Sequence, residues 1–198
     1  MMSMTHITIG IASALAVCRP DSLQSFLPVL AGASAGSVFC DLDCRTRPKM
    51  RDALFGRIVA AGLSAAALFI DYEIGQPMMK YINSLTTEFL AALFAFLVCG
   101  GVAAASGHRG FSHSLFAMAV YTASLSVMLR PVAAPFMTAF LSHLLLDLMN
   151  RKPVKIFWPF GRGICLRWFY ADRTANTLIM LAGAAWTGAE LFRLKSIF

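Results

Sequence analysis

VAAPFMTAFLSHLLLDLM, residues 132–149, is the stretch on which the reading of this chain turns. A transmembrane helix needs about 20 mostly apolar residues, with about 17–25 as the usual range, and this stretch is long and apolar enough. Its last turns nevertheless carry His143 and Asp147. Ionisable groups at membrane depth cost about 2.5–3.5 kcal/mol each on insertion and mark a function. A spacing of four puts the imidazole and the carboxylate on one face of a helix. Both then reach one metal ion, or the Asp orients a metal-bound His from behind.

Working outward, Leu54–Ile70, Phe89–Ala105, Leu115–Leu129 and Thr177–Phe192 read as further membrane segments. Ile7–Val17 and Phe26–Cys40 are shorter and rich in small residues, and read as short spans, a re-entrant pair or interfacial helices. The run Ala31-Gly32-Ala33-Ser34-Ala35-Gly36 permits close helix approach. The balance of the whole chain agrees: 58% of its 198 residues are hydrophobic and 14% charged, against about 45–50% and about 25% in soluble domains. The fold class expected is an all-α, polytopic transmembrane bundle of about five to seven segments, forming one domain over residues 1–198 without linker, repeat or tail. The first apolar stretch lacks a basic lead and a small-x-small site, so it is not expected to be a cleaved signal. Five cysteines without framework spacing argue against disulfides.

The formal charge of +7 does not point to nucleic acid here. Arg45, Arg47, Lys49 and Arg51 follow Asp43, and Arg151, Lys152, Lys155, Arg162, Arg167 and Arg173 follow Met149. Those are short loops between apolar segments, where the positive-inside rule puts cations on the cytoplasmic side. On that topology Asp41, Asp43, His108, His113, His143, Asp147 and His6 all fall at the basic face. The charge rule made no use of their positions, so the convergence is independent evidence for one site.

The pair Asp41-Leu-Asp43 points one way only if the backbone is extended after its helix ends. Two such carboxylates repel, and a cation relieves the repulsion. In His108-Arg-Gly-Phe-Ser-His113 two imidazoles flank a glycine-containing turn, and Arg109 is suited to bidentate recognition of phosphate or carboxylate. Together, the histidines and aspartates form a nitrogen and oxygen donor set of the kind Zn²⁺ accepts, with Mn²⁺ or Mg²⁺ as alternatives.

The set Thr5-His6, Cys40-Asp41-Leu42-Asp43, His108-Arg-Gly-Phe-Ser-His-Ser114, Ser142-His143-Leu-Leu-Leu-Asp147 and Phe157-Trp-Pro-Phe160 resembles the YdjM-type inner-membrane metal-dependent hydrolases. Their ligand style is in turn similar to that of zinc-dependent phospholipases C. The resemblance implies a bacterial inner-membrane hydrolase. Two departures stand out: Phe39-Cys40 replaces a Pro-type lead into the aspartates, and Asp172 or Asn176 stands where a Glu follows the last basic loop. The second leaves one ligand or base unassigned.

The expectation is therefore an enzyme whose metal ligands are His6, Asp41, Asp43, His108, His113, His143 and Asp147, with Asp43 as general base and Arg109, beside His108, holding an anionic group. The substrate expected at a membrane edge is a lipid or lipid-linked phosphoester, met from the cytoplasmic face. The rival readings are a transporter of metal or small solute, whose site belongs at the bilayer midplane, and a metal-binding scaffold without turnover. No HExxH or GxSxG motif offers another hydrolytic chemistry.

Overall fold

The computed structural model describes residues 1–44, 49–82, 86–107, 109–168, 170 and 172–197. Among these it contains seven α-helices: α1 (Ser3–Cys18), α2 (Leu23–Phe39), α3 (Lys49–Glu73), α4 (Thr87–Ala105), α5 (Leu115–Met128), α6 (Arg130–Met149) and α7 (Arg173–Arg193). No strand occurs among the described residues; Val154 and Ile164 form an isolated antiparallel bridge. The all-α bundle expected from the sequence is what forms.

Among the described residues, four helical stretches are long and apolar enough to cross a membrane: Leu23–Asp43, Met50–Glu73, Thr87–Ala105 and Arg130–Met149. Ser3–Cys18 and Leu115–Met128 are shorter apolar helices. Two assignments change. The segment around Phe26–Cys40 is a full-length candidate span, because a 3-10 turn at Cys40–Asp43 continues α2 without a break. The segment around Thr177–Phe192 is helical but is not among the four candidates. Its polar positions explain the shortfall: Asn176 is buried against the amino end of α1, and Thr187 Oγ1 donates to the Thr8 carbonyl at 3.2 Å.

The helices alternate in direction, which places the amino ends of α1, α3, α5 and α7 and the carboxyl ends of α2, α4 and α6 at one end of the bundle. Contacts along each pair show the register. His6 of α1 meets Asp147 of α6, and Gly10 faces Ala139 of the same helix. Ser3 Oγ and its backbone N–H donate to Asp52 of α3. Thr5 Oγ1 donates to the Asn176 carbonyl of α7 at 3.2 Å.

Helices α2 and α6, running parallel, approach backbone to backbone. A Cβ added to Gly36 would lie 2.3 Å from the Phe136 carbonyl oxygen, and one on Gly32 2.6 Å from that of Val132. These glycines, four apart, let the two backbones touch as small-residue interfaces do in membranes. Beside them Phe39, Phe96, Tyr121 and Phe136 pack edge to face at 5.1–5.5 Å between Phe39 and its three neighbours, a geometry favoured by the ring quadrupole. That aromatic layer ties α4 and α5 to the α2–α6 pair directly beneath the polar end.

Candidate metal centre

The α2–α6 contact brings the carboxylates after α2 against the last turns of α6. His143 sits fully buried on α6 with Nδ1 2.7 Å from the Ser37 carbonyl of α2. A carbonyl only accepts, so Nδ1 carries the hydrogen and the neutral ring presents a lone pair at Nε2. That atom is buried and makes no hydrogen bond. It lies 3.9 Å from Asp41 Oδ1. The ring of His6 stacks on it, centroids 3.6 Å apart and planes 12° from parallel.

His113 closes the arrangement from the turn between α4 and α5. Its Nε2 stands 3.5 Å from Asp147 Oδ2 and 3.7 Å from Asp41 Oδ1. Its Nδ1 is 3.5 Å from Asp43 Oδ2 and 2.9 Å from Ser112 Oγ. Burial alone would lower the pKa of this imidazole, but hydrogen bonding to Asp147 and Asp43 and the charge of Asp41 outweigh it and lift it to about 9. The surroundings are thus acidic enough to hold a cation, and in the metal-free chain that cation is a proton.

Two overlapping donor sets result. One atom each from His6, Asp41 and His143 lie within 4.8 Å of one another, and so do atoms from His113, His143 and Asp147. Ligands about 2.0–2.2 Å from a tetrahedral ion stand roughly 3.4 Å apart, so separations of 3.5–3.9 Å require only small adjustments to accept one. The fit also rests on unsatisfied chemistry. His143 Nε2 is a buried acceptor with no hydrogen-bond partner, a costly condition that coordination would remove.

Asp43 stands behind this group instead of in it. The two aspartates do not point the same way, because Cys40–Asp43 is a 3-10 turn and not extended backbone. At three residues per turn, positions two apart diverge. Asp41 faces Nε2 of His113, whereas Asp43 faces Nδ1 of the same ring. Asp43 Oδ2 also accepts from the Arg109 backbone N–H at 3.2 Å and from Ser112 Oγ. Its side chain is wholly buried and does not line the cavity. As a general base it has no route to a substrate.

Arg109 is likewise largely committed. It adopts φ of 65°, a sparsely allowed conformation for a side-chain-bearing residue. From there Nη2 donates to Asp147 Oδ1 at 3.0 Å and Nη1 to the Lys152 carbonyl at 2.6 Å. Its guanidinium steadies Asp147 and forms part of the cavity wall. The following glycine is required, since a Cβ on Gly110 would lie 2.7 Å from the Gly107 carbonyl oxygen. His108, expected as a ligand, lies outside the described residues, as do Arg45 and Arg47.

A cavity of about 360 Å³ opens onto the centre. Asp41, Asp147 and Arg109 line it, together with Asp52, Lys152, Asn176 and Tyr170. Ser112 and Asp52 were not singled out from the sequence. Ser112 stood in view inside the 108–113 motif; Asp52 gave no signal beyond being an acid at the start of an apolar helix. Of the two residues offered for the missing Glu, Asn176 is on the cavity wall, while Asp172 is exposed and caps α7 through the Ala175 N–H. Cys18, Cys40, Cys99 and Cys165 carry free thiols.

A family model described as YdjM inner membrane protein matches residues 1–196. No curated protein and no solved structure matches the chain.

Proposed function

The chain belongs to the YdjM inner membrane protein family, and on that premise we propose that it is a metal-dependent hydrolase acting on a phosphoester or related bond of a lipid or lipid-linked substrate at the cytoplasmic membrane face. The observation that carries this reading is the pair of buried donor sets sharing His143, whose carboxylates Asp41 and Asp147 line an open cavity. A purely structural His–Asp network has no need of a tautomer locked so that a buried, unpartnered lone pair stands beside the Asp41 carboxylate. A transit site would be expected near the middle of the bundle, whereas these groups gather where the helices end.

His6, Asp41, His113, His143 and Asp147 would hold one ion or a close pair, with Zn²⁺ best matched to the mixed imidazole and carboxylate donors. When bound, such an ion acidifies water and neutralises charge developing on a phosphoryl oxygen. Hydrolysis joins a water oxygen to phosphorus and breaks the bond from phosphorus to the ester oxygen. One proton leaves the water and one reaches the departing oxygen. Asp52 shares the cavity with Asp41 and Asp147 and belongs to neither donor set, so it is the carboxylate assigned to take the proton. Lys152, on the same wall, offers its ammonium to the anionic group. Arg109 and Asp43 keep Asp147 and His113 in place.

The test is metal analysis of the detergent-purified chain beside His143→Ala, together with phosphoester hydrolysis in proteoliposomes before and after chelation. Wild type should carry zinc and lose turnover with it, and the variant should carry none. A metal-free wild type, or hydrolysis that survives chelation, would overturn the proposal. A folded variant that keeps its metal would overturn the ligand assignment.

A further inference from the structure

The segment from Arg151 to Tyr170 is absorbed by neither the bundle nor the donor sets. It leaves α6, folds back over the turn that carries His113 and enters α7. Its backbone is fastened to the centre on several sides. Lys155 N–H donates to the Arg109 carbonyl, Leu115 N–H to that of Ile156, and Trp168 N–H to that of Met149 at 3.0 Å. Trp158 turns inward, edge to face with Phe111 at 4.9 Å.

Among the described residues of the segment, the other aromatic side chains turn out. Phe160 is 80% exposed, Trp168 69%, Tyr170 60% and Phe157 59%. Within the same twenty residues stand Arg151, Lys152, Lys155, Arg162 and Arg167 and no Asp or Glu. Arg151 lies over the Tyr170 ring at 5.9 Å. Rings outward among cations suit neither water nor hydrocarbon; they suit the headgroup layer, where aromatic side chains and snorkelling cations concentrate. The segment also begins just past Met149, where a candidate span ends, and so has that layer within reach.

We propose that this segment is a docking surface for anionic phospholipid headgroups, holding the cavity mouth, which Lys152 and Tyr170 help to line, against the lipid layer. Charge complementarity selects anionic over zwitterionic lipid: each Lys or Arg near an anionic surface is worth about fivefold in partitioning. The surface is set by this segment alone and does not depend on the metal reading.

The experiment uses the full chain in vesicles, with and without bound metal. Fluorescence quenching by phospholipids brominated near the glycerol end of the acyl chain is compared between wild type and Trp168→Phe, and the difference reports on Trp168. That component should be quenched by the brominated lipid and shielded from acrylamide. It should be stronger with phosphatidylglycerol added to phosphatidylcholine, and Arg162→Gln with Arg167→Gln should remove most of the gain. A Trp168 component open to acrylamide and untouched by brominated lipid overturns the docking surface and leaves the face to water or a protein partner. Equal quenching in neutral and anionic vesicles overturns the charge selection. Stripping the metal should change neither result, so failure here is separable from failure of the hydrolase reading.

Discussion

His143 and His113 are held by different devices, and each predicts a different sensitivity. His143 has its tautomer fixed by a backbone carbonyl, which no side-chain substitution at Ser37 removes. His113 relies on Asp43 and Ser112. Asp43→Asn keeps an oxygen to accept from Arg109 and Ser112 but loses the charge facing the ring. Outer-shell partners of this kind are worth about 10–100-fold in metal affinity, so Asp43→Asn should weaken zinc binding by that order in competition with a chelator, with the helical content unchanged. Affinity equal to wild type would remove Asp43 from its orienting role. The same ring predicts a proton balance. With its pKa raised to about 9, His113 is protonated at neutral pH in the metal-free chain, and a ligand must be neutral. Zinc loading in weak buffer at neutral pH should therefore acidify the solution, apparent affinity should climb as pH rises toward 9, and His113→Asn should flatten that climb. The sequence brought His6, Asp41, His113, His143 and Asp147 into view but not this layering. Spacing alone does not reveal that Asp41 and Asp43 leave a 3-10 turn on opposite nitrogens of one imidazole, nor that a carbonyl from Ser37 selects the tautomer.

Helix α2 decides whether the donors meet at all, because it carries Ser37, Asp41 and Asp43 and touches α6 through glycine. At Gly36 a side chain has no space, the obstacle being the Phe136 carbonyl oxygen and not a movable side chain. Gly36→Leu must push α2 from α6, and overpacking of this kind costs about 1–3 kcal/mol. It should lower the melting temperature and also deplete the zinc content, since Asp41 and His143 would separate. Gly62→Ala on α3 is the control: nothing lies within 4 Å of its added Cβ, so stability should hold or rise, by up to about 1 kcal/mol from helix propensity, with the metal retained. Equal losses in both variants would mean that the glycines matter as helix breakers and not as a contact. The small-residue run 31–36 announced this interface in the sequence. What hydropathy blurred was the length of α2, because Ser and Gly that serve packing depress the apolar signal, and the standing of α7, whose Asn176 and Thr187 serve α1 instead of lipid.

For the molecule as a whole, the argument that put every donor at one face was the alternation of helices, and the charge distribution carries it further. At the far end Arg19, Lys80, Arg130, Arg193 and Lys195 are matched by Asp21, Asp71, Glu73, Glu88 and Glu190, five against five, so by chain position the whole excess of +7 belongs to the end that holds the donors. By the positive-inside rule such asymmetry predicts that end in the cytoplasm. Two native cysteines report on it without engineering. Cys165 lies in the segment over the centre and Cys18 at the opposite end of α1, both partly exposed, whereas Cys40, Cys44 and Cys99 are buried. A membrane-impermeant maleimide should label Cys18 in spheroplasts and Cys165 in inverted inner-membrane vesicles, with Cys18→Ser and Cys165→Ser identifying each band. Cys165 labelled in spheroplasts would turn the centre to the periplasm and rule out any substrate confined to the cytoplasmic leaflet. The donor geometry would be untouched by that result, since His6, His113 and His143 stay on one side of the bundle whichever way the bundle faces.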